Sequence, residues 1–157
     1  MSFILFSLGL IFVLYFLVSW SKVYNSKDSL EFVYQWASFI GAFVWEDLLV
    51  FSLLHLIFVI ITWISHDLRV GLLLIGIFWS VRSSGEALYF FLQQFHRPKH
   101  HPHNLEGHLK SFKPFLGEIS QQKGYILMQI THQSVVVISI SLTILLLKYW
   151  DYLPGWF

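Results

Sequence analysis

The sequence predicts an all-α, polytopic membrane helical bundle with four transmembrane helices and an interfacial or extended helix before the second. Three observations carry that prediction. The chain contains four apolar runs, each close to the ~20 residues that a helix needs to cross the hydrocarbon core. Charged residues make up only 12% of the 157 residues, against roughly a quarter in soluble domains, so a soluble fold could not cover its surface with polar groups. Aromatic side chains are abundant, with 7 Trp and 7 Tyr, residues that favour the membrane–water boundary because one end is apolar and the other polar. The length suits a single transmembrane domain over residues 1–157.

The first span is expected at residues 3–20, a run with no charge inside it. It has no basic segment before it and no small-residue cleavage site after it, so it reads as a retained helix rather than a signal peptide. The second apolar run, residues 30–65, is too long for one crossing. A span at 44–65 leaves 29–43 as the interfacial or extended helix. The third span is expected at 68–95 and the fourth at about 125–150. Only Ser65-His66-Asp67 joins the second to the third, which predicts a tight antiparallel hairpin. A five-span alternative makes 29–45 a span and Glu46-Asp47 a turn, but neither Gly nor Pro supports that turn.

Lys and Arg in short loops orient membrane proteins. Lys22 and Lys27 follow the first span. Arg97, Lys99, Lys110, Lys113 and Lys123 follow the third, whereas the opposite side has only Arg69 and Lys148. The expectation is a cytoplasmic, His/Pro-rich basic loop over residues 94–124, with both termini on the other side. Net charge is only +1 with neutral histidines, so no strong field argues for a nucleic-acid partner. The expected partners are the bilayer, a lipid or other apolar small molecule, and a second copy or a larger membrane complex.

Ionisable residues inside a span are costly and face the interior or a cavity. At 100° per residue, the second span gathers Asp47, Ser52, His55 and Thr62 in one broad sector. The third carries Trp79, Arg82, Ser83, Glu86, Tyr89 and Gln93 as a stripe. The fourth aligns Tyr125, Gln129, His132, Ser139 and Thr143. The first has no ionisable group and reads as a packing helix. Arg82 and Glu86 are four apart, the spacing at which helical side chains meet. On the orientation above, Asp47, Glu86 and His132 all fall in the cytoplasmic half, His132 about 9 Å inside its span. Glu86, His132, Asp47 and Arg82 are therefore the candidate catalytic residues, with Arg82 orienting Glu86 or holding an anionic headgroup. The competing reading is an internal ion pair and helix-packing hydrogen bonds.

Five of the eight histidines lie within 13 residues, from His96 to His108. Imidazole ligates zinc, iron, copper and nickel, and His-rich tracts are candidate metal binders. His96, His100, His101 and His103 are the candidate ligands, with zinc or iron as the metal. The competing reading is a solvated basic loop against anionic lipid headgroups. The spacing His96-x-x-x-His100-His101 resembles one histidine box of the membrane fatty-acid hydroxylases, desaturases and carotenoid hydroxylases. In that superfamily such boxes sit at cytoplasmic helix ends and hold two irons. The resemblance covers six residues, and His55, His66 and His132 are isolated singles where further boxes would be needed.

The leading functional expectation is a metal-dependent enzyme acting on a lipid or other apolar substrate. The alternatives are a structural or accessory subunit of a membrane complex, and a proton-coupled transport protein using Asp47, His55, Glu86 and His132. A haem protein with His55 and His132 as axial ligands is disfavoured by their different depths.

Overall fold

The computed structural model describes residues 2–25, 35–95 and 113–153. Every long element among them is helical. Helix α1 spans Ser2–Asn25, a 3-10 segment spans Gln35–Ile40, α2 spans Trp45–Ser65 and α3 spans Leu68–Gln93. A single turn, α4, spans Lys113–Leu116, α5 spans Gln121–Lys148, and a last 3-10 turn covers Trp150–Tyr152. Helices α1, α2, α3 and α5 are each long and apolar enough to cross a membrane. The chain is thus an all-α, multi-pass integral membrane protein. Trp45 and Trp63 bracket α2 eighteen residues apart, a rise of about 27 Å, which matches a hydrocarbon core of about 30 Å. In the described part of residues 29–43 the expected helix is the short 3-10 segment. It ends at Gly41, whose φ of 78° needs a residue without a Cβ. This segment cannot span, so the five-span alternative finds no support there.

The chain falls into two compact units, Met1–Gly76 with Thr143–Phe157, and Ile77–Leu142. In the first unit α1 packs along α2. Phe12 from α1, Ala37 and Ile40 from the 3-10 segment, Ala42, and Trp45 and Leu48 from α2 form one buried cluster, flanked by Tyr15, Val23, Phe51, Leu56 and Val59. Ala37 and Leu48 are fully buried. The small alanine lets the 3-10 segment lie close against the helices.

The α2–α3 hairpin is as tight as expected. His66 closes α2 in the left-handed region at φ 52°, its N–H bonded to the Trp63 carbonyl. Asp67 then caps α3, its carboxylate accepting the Arg69 N–H at 2.9 Å, the usual role of Asp at a helix start. The Arg69 side chain turns back onto the same carboxylate through Nε and Nη2 at 2.7–2.9 Å. Its Nη1 donates to the carbonyls of Trp150 at 2.6 Å and Leu153 at 3.2 Å, and the guanidinium lies over the Trp150 ring. One arginine thus joins the hairpin turn to the chain beyond α5, satisfying carbonyls of the last 3-10 turn and the residue after it. Arg69 also holds the Asp67 carboxyl below its ordinary range through their hydrogen bond.

Candidate functional site

In the second unit, α3 and α5 run antiparallel. Ser80 and Ser139 share a hydrogen bond at 3.0 Å, and the Gln94 amide donates to the Gln129 carbonyl oxygen at 2.6 Å. Between these two links α3 advances while α5 retreats, which only an antiparallel pair allows. Phe90 lies between the links, fully buried. The His132 ring stacks on it, with centroids 5.5 Å apart and planes 14° from parallel. Tyr125 approaches the same ring at 6.4 Å, and Met128 completes the cluster with Tyr89 against it. The spacing Tyr125, Met128, His132, Ser139 follows one face of a 3.6-residue helix, and all four are buried.

Arg82 and Glu86 form the expected ion pair one turn apart, both side chains mostly buried. The Arg82 charge reaches His132, and the Tyr89 hydroxyl lies within electrostatic reach of Glu86 and Tyr125. The second unit therefore brings together a guanidinium, a carboxylate, an imidazole and two phenols. Ser83, beside Arg82 in sequence, is fully buried, and its hydroxyl has no hydrogen-bond partner among the described residues. Glu86 lies seven residues from the end of α3, about 10 Å along the axis. Helix α5 begins at Gln121, earlier than the expected residue 125, so His132 lies about 16 Å along it rather than about 9 Å.

Three of the four candidate catalytic residues, Arg82, Glu86 and His132, thus share one unit. Asp47 belongs to the other. Its carboxylate accepts the Phe43 N–H at 3.2 Å, and with Glu46 it sits in the first turn of α2, where negative charge complements the helix dipole. The rest of the α2 stripe is buried as predicted and turned onto its own helix. Ser52 donates to the Leu49 carbonyl, Thr62 to that of Phe58, and the His55 Nδ1–H to that of Phe51 at 2.8 Å. The His55 ring is packed between Phe12 and Phe58.

The candidate metal ligands His96, His100, His101 and His103 lie outside the described residues. Among the described residues no group of three or more His, Asp or Glu side chains comes together as a metal site. Two participants escaped the sequence pattern. Ser80 stands one position from the stripe drawn through Trp79 and Ser83, and Gln94 was assigned to the loop. Only the register of α3 against α5 reveals them.

No protein-family model matches the chain, and neither does any curated protein or solved structure.

Proposed function

We propose that the second unit is the working part of a membrane enzyme acting on a lipid, or another apolar molecule, that carries an anionic group. The observation that carries this reading is the convergence of Arg82, Glu86 and His132 in one unit. Arg82 has five N–H donors in a rigid fork and can hold an anion while still paired to Glu86. Glu86 and His132 supply a carboxylate and an imidazole, the side chains most used to move protons. The buried Ser83 hydroxyl and the two phenols offer further hydrogen bonds to a headgroup. Metal dependence is a separate part of the proposal. It would rest on His96, His100, His101 and His103, which directly follow α3 in sequence, with zinc or iron as the metal. By the loop charges, this tract and the nearby ends of α3 and α5 lie in the cytoplasm and the α2–α3 turn outside. A tag at His103 accessible only from the cytoplasm supports that orientation, and one accessible only from outside reverses it.

The test is native mass spectrometry of the purified protein, with metal content measured on the same sample. The wild type is expected to retain an anionic lipid. The double variant Arg82→Gln with Glu86→Gln, which removes both charges and keeps hydrogen-bonding amides, is expected to lose it at unchanged thermal stability. A wild type that carries no anionic lipid, or a double variant that keeps it, rules the reading out. Metal that dissociates with His100→Ala and also with His132→Ala supports a metal shared between tract and helices.

A second reading has its own observation. The Ser80–Ser139 and Gln94–Gln129 bonds are the kind of polar links that hold helices together in a bilayer. On that reading the unit is a packed scaffold within a membrane complex. The neutral double variant then changes neither lipid content nor assembly.

A further inference from the structure

One glutamine near the middle of α5 belongs to none of the clusters above. Gln133 is exposed and makes no hydrogen bond among the described residues. It lies twelve residues from the start of α5 and fifteen from its end, about 18 Å and 22 Å along the axis. A glutamine side chain is too short to reach either interface from that depth. An amide left bare in hydrocarbon is costly, and acyl chains offer it no hydrogen bond, so its partner must carry a polar group at mid-membrane.

The residues around Gln133 say what that partner is. Ile126, Ile130, Gln133, Val137 and Ile140 follow one another at steps of four, three, four and three. This is the seam of a left-handed coiled coil, with Ile130 and Val137 at one of its two core positions and Ile126, Gln133 and Ile140 at the other, so that one polar residue stands among β-branched ones. All five are exposed, Ile130 at 54% and Val137 at 64%. Two copies of a membrane protein insert with the same orientation. A two-fold axis along the membrane normal therefore sets two α5 helices parallel and puts Gln133 opposite Gln133 at one depth. An amide is self-complementary, because its NH2 donates to the oxygen of its twin. We infer that α5 is a self-association helix whose exposed seam pairs two copies of this chain through Gln133. His132 points some 120° away from the centre of this seam at 100° per residue, so pairing leaves the cluster on Phe90 untouched.

The chain contains no cysteine, so single-cysteine variants report one position each. In native membranes, oxidation of Ile130→Cys, Val137→Cys and Ile140→Cys is expected to give a species of twice the chain's mass. Leu142→Cys, exposed at nearly the depth of Ile140 but on another side of the helix, is expected to give none. Adding Gln133→Leu is expected to weaken self-association about tenfold, and Gln133→Asn to keep most of it. The inference is overturned if Leu142→Cys cross-links as well as Ile140→Cys, or if the seam positions do not cross-link. Seam cross-linking indifferent to Gln133→Leu overturns it equally.

Discussion

The polar stripe of α2 and the polar seam between α3 and α5 look alike in the sequence and differ in where their hydrogen bonds go. On α2 the Ser52, His55 and Thr62 side chains bond to carbonyls three or four residues back on the same helix. They are buried, and each has a hydrogen-bond partner on its own helix. Between α3 and α5, Ser80, Ser139, Gln94 and Gln129 bond across helices, and a charged pair lies beside them. A side chain in a span can thus bond to its own backbone, as Ser139 and Gln94 also do, but the Ser80–Ser139 and Gln94–Gln129 bonds need a second helix as well. The first kind of stripe constrains its neighbours by packing, as Thr62 does against Gly71. The second also constrains them by hydrogen bonds.

The largest effect expected from this contrast is at the ion pair. Arg82→Leu or Glu86→Leu alone leaves an uncompensated charge and should cost about 3–5 kcal/mol. The double replacement by Leu and Met should recover part of that loss in thermal denaturation in detergent. A single replacement that costs nothing would erase the distinction between the two units.

The first unit should instead be most sensitive where it is tightly packed. A Cβ at Gly71 would stand 2.5 Å from the Thr62 Oγ1, and Thr62 is stiff and held to the Phe58 carbonyl. Gly71→Ala should lower stability by about 1–3 kcal/mol, and adding Thr62→Ala should return most of it. A destabilisation that the second change does not relieve would place the strain elsewhere.

At the hairpin, Asp67→Ala removes a cap and should cost about 0.5–2 kcal/mol. The Asp67 carboxyl is held below its ordinary value of 3.8. Its contribution is therefore complete above that value and lost as pH falls through the lower value of the folded state. Asp67→Asn should flatten the stability profile in that acid window. A profile unchanged by the substitution would remove Arg69 as the cause.

The finest test is a pair of double-mutant cycles. Gln94 with Gln129 should show coupling of about 0.6 kcal/mol, the mean for such bonds in membrane helices. Ser52 with His55 should show almost none, because each bonds to its own helix. Equal coupling in both cycles would mean that the two stripes do not differ in kind.

The four spans, the hairpin and the Arg82–Glu86 pair were legible in the sequence because each depends on local pattern. Apolar length marks a span, a short polar join marks a hairpin, and a four-residue step marks a helical pair. The buried face of α2 was legible for the same reason. What escaped was register. Periodicity says that Tyr125, Gln129 and His132 share a face. It cannot say that Gln129 meets Gln94 or that His132 meets Phe90, because those pairings depend on how far one helix slides past another. Asp47 was grouped with Glu86 and His132 by depth, and depth does not reveal that its carboxylate accepts the Phe43 N–H at the start of α2.

The Arg69 contacts also bear on the order in which the chain assembles. Asp67 is two residues away and available as soon as the hairpin forms, whereas the Trp150 and Leu153 carbonyls lie 81 and 84 residues further along. Closing so long a loop is slow compared with forming local contacts. The bonds to those carbonyls cannot form until α5 has been made and inserted. Until then the arginine is already neutralised by its near neighbour, so an incomplete chain does not leave a bare cation at the turn. The same side chain serves first as half of a neutral turn and last as the latch that registers completion of the fourth span.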